Sequence, residues 1–132
     1  MVSGVAGQPP GEGAPGRGRL RVEVRAGADA VVLVLDGELD HDTALPLREA
    51  LVEAVEARAE RIVVDCADLR FCDSTGLNVL LRARLAASEA GGRVELAGLR
   101  PPVARMFDIT GAHAVFRVYA TVDEALADQR PK

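Results

Sequence analysis

The regular pattern of the chain begins with two short segments of strand character. Residues 20–26, LRVEVRA, alternate apolar and charged side chains, which predicts a β-strand with one face in water. Residues 31–39, VVLVLDGEL, form an almost continuous branched apolar run, which predicts a more deeply buried strand. Because the turn residues Gly27 to Asp29 separate the two segments, we expect the strands to pair as a hairpin.

Helical and strand patterns alternate through the rest of the chain. Apolar residues at helical spacing, prolines suited to helix starts and a Thr-x-x-Glu capping spacing predict further helices. The predicted helices span 44–57, 74–90, 101–110 and 122–128, and the predicted strands span 61–69, 93–99 and 114–120. Asp42 or Thr43 is the expected cap of the first helix. The order β-β-α-β-α-β-α-β-α predicts an α/β domain whose mixed five-stranded sheet carries about four helices.

Length and composition indicate one soluble domain. The 132 residues suffice for a single core, and the balance of 48% hydrophobic and 27% charged residues is typical of globular proteins. Half of residues 1–18 are glycine or proline, so we expect a disordered N-terminal tail there. The predicted domain covers 19–128, and 129–132 form a C-terminal tail.

Charge and cysteine content exclude several classes of function. A net charge of -4 with scattered arginines argues against binding of nucleic acid, which needs clustered cations. No apolar run approaches the ~20 residues that span a bilayer, so direct membrane insertion is not expected. Two cysteines and the lack of a secretory signal pattern favour the cytoplasm. A glycine-spaced dinucleotide motif in the tail lacks a flanking strand and helix, so no cofactor is expected.

The candidate chemistry lies at the predicted junction between a strand and a helix. Three oxygen-bearing residues, Asp73, Ser74 and Thr75, follow the strand, and Gly76 comes next. One such residue can cap the helix, which stabilises it by about 1 kcal/mol. Three in a row leave a hydroxyl free beside the positive end of the helix, where a phosphoryl group would be tolerated. Gly76 either lets a macromolecule approach these hydroxyls or permits tight packing of the helix on the sheet.

These residues carry a resemblance to a known family. The run VVDCADLRFCDSTGLNVLL, the earlier LDGELDHDTALPLREAL and the element order resemble the bacterial anti-sigma factor antagonists, whose fold is the STAS domain. The resemblance extends from about Leu20 to Ala127. It implies that Ser74 is phosphorylated by an anti-sigma factor acting as an ATP-dependent serine kinase. It also implies that a PP2C-like phosphatase removes the phosphate.

The resemblance further implies how the protein acts. The unphosphorylated antagonist binds the anti-sigma factor and frees a sigma factor, and phosphorylation breaks that complex. We expect Asp40, Asp73, Ser74, Thr75 and Gly76 to lie near one partner-binding face. From the residues alone, the preferred interpretation of Asp40 is a turn or cap residue before the first helix. The alternatives within the fold are a subunit of a transporter or lipid-transfer ATPase and a member of a stress-sensing assembly.

Catalysis and metal binding are the remaining rival hypotheses. A hydrolase would use Ser74 as nucleophile with His41 or His113 as base, yet the G-x-S-x-G elbow is missing. The same histidines could bind zinc with Cys66 and Cys72, but the spacing of structural zinc sites is missing. We therefore expect no enzyme activity and no metal, and we expect both cysteines to be buried thiols.

Overall fold

The computed structural model describes residues 19–128, and the two predicted tails, 1–18 and 129–132, lie outside the described residues. The strands are β1 (Leu20–Ala26), β2 (Val31–Leu39), β3 (Arg61–Cys72), β4 (Arg93–Ala97) and β5 (Val118–Tyr119). The helices are α1 (Leu45–Glu56), α2 (Ser74–Glu89), α3 (Pro101–Thr110) and α4 (Val122–Ala127), and a 3₁₀ turn spans Ala112–Ala114. The predicted order of strands and helices is confirmed.

The strands form one mixed sheet in sequence order, β1-β2-β3-β4-β5. β1 pairs with β2 antiparallel as the predicted hairpin, and the other neighbours are parallel. The pairing of β2 with β3 shifts register twice, between Val34 and Asp36 and between Gly37 and Glu38. Gly37 has φ 128°, and a Cβ there would lie 1.9 Å from the carbonyl oxygen of Arg19. Only glycine therefore fits at this position of β2, which lies opposite the first residue of β1.

The two faces of the sheet are covered differently. One face carries α1, α2 and α3 over the main core, which consists almost entirely of aliphatic side chains and includes the fully buried Leu33, Leu80 and Phe107. The other face carries α4, whose Ala125 packs in a small cluster with Val63. The carboxyl ends of β2 and β3 lead into α1 and α2, so the loops that carry the candidate chemistry meet at one end of the sheet.

A buried charged cluster secures α4, and the sequence patterns did not predict it. Glu95 in β4 is 1% exposed, and its carboxylate accepts hydrogen bonds from Arg61 Nε at 2.9 Å and Arg93 Nε at 2.7 Å. Arg117 Nη1 lies 3.7 Å from the same carboxylate. Arg61 also donates to the carbonyl oxygen of Ala125 at 2.6 Å, near the end of α4. The last helix is therefore held by a buried ion pair as well as by apolar contacts.

Three predicted details of the fold are wrong. β3 continues three residues beyond the predicted end at 69, because the strand stays paired with β2 as far as Cys72. The strand predicted at 114–120 shrinks to Val118–Tyr119, since the preceding residues form a 3₁₀ turn and bury Phe116 in the main core. Neither Asp42 nor Thr43 caps α1. The N-cap is Ala44, without a side-chain hydrogen bond.

Candidate functional site

Asp73 joins the two loops at the end of the sheet. Its Oδ1 accepts a hydrogen bond from the Gly76 N–H at 2.9 Å, which makes it the N-cap of α2. Its Oδ2 accepts from the His41 N–H at 3.2 Å, and its own N–H donates to the carbonyl oxygen of Leu39 at 3.1 Å. The carboxylate thus fixes the start of α2 against the loop that follows β2.

Asp40 organises that neighbouring loop. Its Oδ1 accepts hydrogen bonds from the N–H groups of Asp42 at 2.9 Å and Thr43 at 3.1 Å. The Thr43 hydroxyl accepts from the Asp40 N–H at 2.9 Å and donates to the carbonyl oxygen of Glu38 at 2.8 Å. Asp40 is therefore the turn residue that the sequence offered as one interpretation. Thr43 is drawn back towards β2, which explains why it does not cap α1.

Ser74 is the first residue of α2, and its side chain is exposed. Within residues 19–128 its hydroxyl makes no hydrogen bond, and the same holds for the half-buried Thr75. The capping role falls to Asp73, so these two hydroxyls are not needed to start the helix. The structure therefore brings Asp40, Asp73, Ser74 and Thr75 to one end of the sheet and leaves Ser74 open to solvent.

Gly76 is buried under β2. A Cβ at this position would lie 2.5 Å from Leu39 Cγ and 3.1 Å from Cys72 Sγ. Real side chains do not approach so closely, so the glycine lets α2 settle against the sheet. Of the two interpretations from the sequence, tight packing is the one supported here. Gly76 therefore supports the site by packing against the sheet, and it has no side chain that a partner protein could contact.

The two cysteines are buried thiols, as expected. Burial raises the pKa of Cys72 to about 12 and raises the pKa of Cys66 further. Both side chains therefore stay protonated near neutral pH, and a protonated thiol is a poor nucleophile and a poor metal ligand. Among residues 19–128 no group of three or more histidine, cysteine or acidic side chains is placed to hold a metal ion.

The histidines do not assemble with Ser74. His41 is 80% exposed, and its Nε2 lies 3.9 Å from Asp42 Oδ1. The other imidazole, His113, lies 4.0 Å from Asp108 Oδ1, beyond the end of α3. Neither ring donates to or accepts from the Ser74 hydroxyl. In the described part of the chain no helix is long and apolar enough to cross a membrane.

Comparison with known proteins identifies the family. The family model described as "Mlab, STAS domain" matches residues 22–119, which include all of the candidate site. The chain belongs to the STAS domain family. An anti-sigma F factor antagonist of Paenibacillus polymyxa is 32% identical over 110 residues, covering 83% of this chain and 94% of that relative. The resemblance noted in the sequence, and the α/β architecture it implied, are both confirmed.

Solved structures of this STAS family give the same result. An anti-sigma factor antagonist from Mycobacterium paratuberculosis matches with a TM-score of 0.75 and 26% identity, covering 82% of this chain and 92% of that one. The Bacillus cell fate determinant SpoIIAA in its phosphorylated form matches with a TM-score of 0.66 and 27% identity, covering 84% and 99%. Antagonists of this STAS type are therefore similar to this chain over almost their whole length.

Proposed function

We propose that this protein is an anti-sigma factor antagonist that is switched by phosphorylation of Ser74. The observation that carries the proposal is the hydroxyl of Ser74, which is exposed at the start of α2 and makes no hydrogen bond within residues 19–128. The similarity to antagonists, one of which has been solved in a phosphorylated form, supports the same role. The alternative of a transporter or lipid-transfer ATPase subunit is not favoured, because the curated relatives are named as antagonists.

The start of α2 can accept a phosphoryl group without rearrangement. The N–H groups of a first helical turn lack intrahelical partners, and the macrodipole places partial positive charge there. Asp73 already uses the Gly76 N–H and holds the loop at His41, so phosphorylation of Ser74 breaks none of the hydrogen bonds that fix the site. The phosphate would carry about 1.5 to 2 negative charges at neutral pH.

The added charge explains how the switch acts on a partner. In the unphosphorylated state a partner covers the end of α2. The residues near this contact are Asp40, Asp73, Ser74 and Thr75, and Gly76 lets the start of α2 pack closely on the sheet beneath them. A phosphate at the centre of this contact must lose water, and a buried charge without a partner costs several kcal/mol. A loss of about 4 kcal/mol lowers affinity roughly a thousandfold.

The proposed partners follow from this role. An anti-sigma factor with ATP-dependent serine kinase activity binds the unphosphorylated form, and this binding frees a sigma factor. The same kinase phosphorylates Ser74, which ends the complex. A PP2C-like phosphatase restores the active form. The protein itself acts by binding in the cytoplasm and performs no chemistry of its own.

Phosphosite mapping tests the proposal. The wild-type protein, Ser74→Ala and Thr75→Ala are each incubated with ATP and the anti-sigma factor kinase of the same bacterium, and peptides are analysed by mass spectrometry. We expect phosphate on Ser74 in the wild type and in Thr75→Ala, and none on the loop in Ser74→Ala. A phosphate found only on Thr75 or elsewhere would overturn the site assignment.

A binding experiment tests the switch itself. By calorimetry, Ser74→Ala should bind the anti-sigma factor like the unphosphorylated wild type, both before and after treatment with ATP. The phosphorylated wild type should bind at least a hundredfold more weakly. Equal affinity of the two forms would show that charge at Ser74 does not control the complex.

A further inference from the structure

The two edges of the sheet differ in how well they are protected from pairing with a strand of another molecule. The edge strand β5 is only two residues long, whereas the opposite edge strand, β1, runs for seven residues without a proline. The register of β1 on β2 is unbroken from Leu20 to Ala26. Natural edge strands are usually short, bulged or covered, since an open row of backbone groups pairs with any strand it meets. Nothing of this kind blunts β1 within residues 19–128.

The outward backbone groups of β1 belong to its apolar residues. The Gly27 N–H donates to the carbonyl oxygen of Ala30 at 2.9 Å across the hairpin, so residues of odd number direct their backbone groups towards β2. Residues of even number therefore direct theirs away from the sheet. The outward set consists of Leu20, Val22, Val24 and Ala26. Since β1 is first in the strand order, these N–H and C=O groups have no strand partner among residues 19–128.

The side chains of β1 form one apolar and one charged stripe. The apolar stripe lies on the face of the main core but is incompletely covered, and Val24 is 54% exposed. The charged stripe carries alternating signs along the strand: Arg21, Glu23 and Arg25. Arg25 Nε donates to Glu23 Oε2 at 3.0 Å within the strand, so the two charges already stand side by side. Such a pattern can complement itself when the strand is reversed.

We propose that β1 pairs antiparallel with β1 of a second copy, centred on Val24, to join two sheets into one. In this register Val24 lies opposite its own copy, and Val22 lies opposite Ala26 of the second copy. Each of these pairs exchanges both backbone hydrogen bonds. The half-exposed Val24 side chains then shield each other from water.

Charge selects this register over its neighbours. With Val24 at the centre, Glu23 lies opposite Arg25 of the second copy, twice by symmetry. A shift of the centre to Glu23 places Glu23 against Glu23 and Arg21 against Arg25. A centre at Val22 places Arg19 against Arg25, and a centre at Arg25 places two arginines together. Like charges directly opposite each other destabilise a strand pair, so only the register centred on Val24 is complementary throughout.

The pairing uses none of the residues of the Ser74 site. β1 is separated from β3, the strand that leads to Ser74, by β2. The dimer can therefore be tested separately from the antagonist role, and it would present two switch sites on one continuous sheet. A two-fold contact of this kind closes on itself, because each β1 edge is used once.

Charge reversal and mixing test the dimer. The full-length wild type should show a reversible monomer–dimer equilibrium in sedimentation experiments between about 1 and 500 µM, following mass action. Glu23→Arg and Arg25→Glu each place like charges opposite one another and should weaken dimerisation at least about tenfold. An equimolar mixture of these two variants restores both opposite pairs, so a heterodimer should form with near wild-type affinity. Arg105→Glu, an exposed charge reversal on α3, is the matched control and should dimerise normally.

A proline variant tests the backbone contact separately. The Val24 N–H points away from β2, so Val24→Pro removes no hydrogen bond of the monomer and is compatible with an edge strand. It should retain the circular dichroism spectrum of the wild type and remain monomeric. The proposal is overturned if the wild type is monomeric throughout, or if folded Val24→Pro dimerises as the wild type does. Failure of the mixed charge variants to associate would overturn the register.

Discussion

Two polar regions of this molecule differ in whether their side chains are hydrogen-bonded within the fold. Around Glu95, beneath α4, the carboxylate is almost fully enclosed and is contacted by three arginines. At the start of α2 the Ser74 hydroxyl is exposed and makes no hydrogen bond in the described part of the chain. A buried polar group must be satisfied for the fold to be stable, while a group that acts on a partner must be left free. The first region therefore serves the fold, and the second is available for regulation.

The sharpest test of this contrast is Glu95→Gln. Removal of the negative charge leaves Arg61, which is 6% exposed, without its ionic partner. We expect a loss of about 3 to 5 kcal/mol in the free energy of unfolding, measured by urea denaturation. Glu89→Gln, at the exposed end of α2, is the control and should change the stability by less than about 0.5 kcal/mol. If both variants were equally stable, the Glu95 cluster would not hold the fold.

The next largest effect concerns the packing beneath Ser74. Gly76→Ala places a methyl group 2.5 Å from Leu39 Cγ, so α2 or the leucine must shift. Overpacking of this kind typically costs about 1 to 3 kcal/mol, measurable by thermal or urea unfolding. Asn78→Ala, an exposed change in the same helix, should be nearly neutral.

A double-mutant cycle gives this prediction its control. Leu39→Ala removes the atoms that collide with the new methyl group, so Gly76→Ala should cost less in that background. Additive losses would mean that the methyl group is opposed by another neighbour, such as Cys72 Sγ at 3.1 Å, and not by Leu39.

The sequence predicted the elements of this fold well, because their periodicity directly reflects which faces are buried. It failed where tertiary contacts override local preference. AVFRVYA has the composition of a strand, yet Phe116 turns into the main core and only Val118–Tyr119 pairs with β4. The burial of Glu95 also had no signal in the sequence patterns. β4 lies between two other strands and beneath α4, so its second face is buried as well.

The candidate site could be located from the sequence but not resolved. Asp73, Ser74 and Thr75 are all good cap residues, so composition did not show which of them caps α2. The structure decides this through the bond from the Gly76 N–H to Asp73 Oδ1. The second contact of Asp73, to the His41 N–H, joins residues 32 apart in the chain and has no local sequence signal.

Asp73→Ala tests the two hydrogen bonds by which Asp73 caps α2 and joins it to the loop after β2. The variant loses the bonds to Gly76 and His41, and we expect it to lower the free energy of unfolding by about 1 kcal/mol. Asp73→Asn keeps a side-chain oxygen and should retain most of the stability. Hydrogen exchange should show faster exchange of both the Gly76 and His41 amides in Asp73→Ala, and of the His41 amide alone in Asp73→Asn, whose single side-chain oxygen can still cap α2 but cannot serve both amides. Unchanged exchange at His41 would contradict the link between the two loops.

The smallest expected effect is the most informative about Ser74. Since its hydroxyl is exposed and makes no hydrogen bond within residues 19–128, Ser74→Ala should change the free energy of unfolding by less than about 0.5 kcal/mol. Ser74→Asp places a negative charge at the helix start and should stabilise the protein by about 0.3 to 1 kcal/mol. If Ser74→Asp is at least as stable as the wild type but no longer binds the anti-sigma factor, the loss of binding arises at the contact and not from unfolding. A marked loss of stability in Ser74→Ala would instead place Ser74 with Glu95, among the groups that the fold requires.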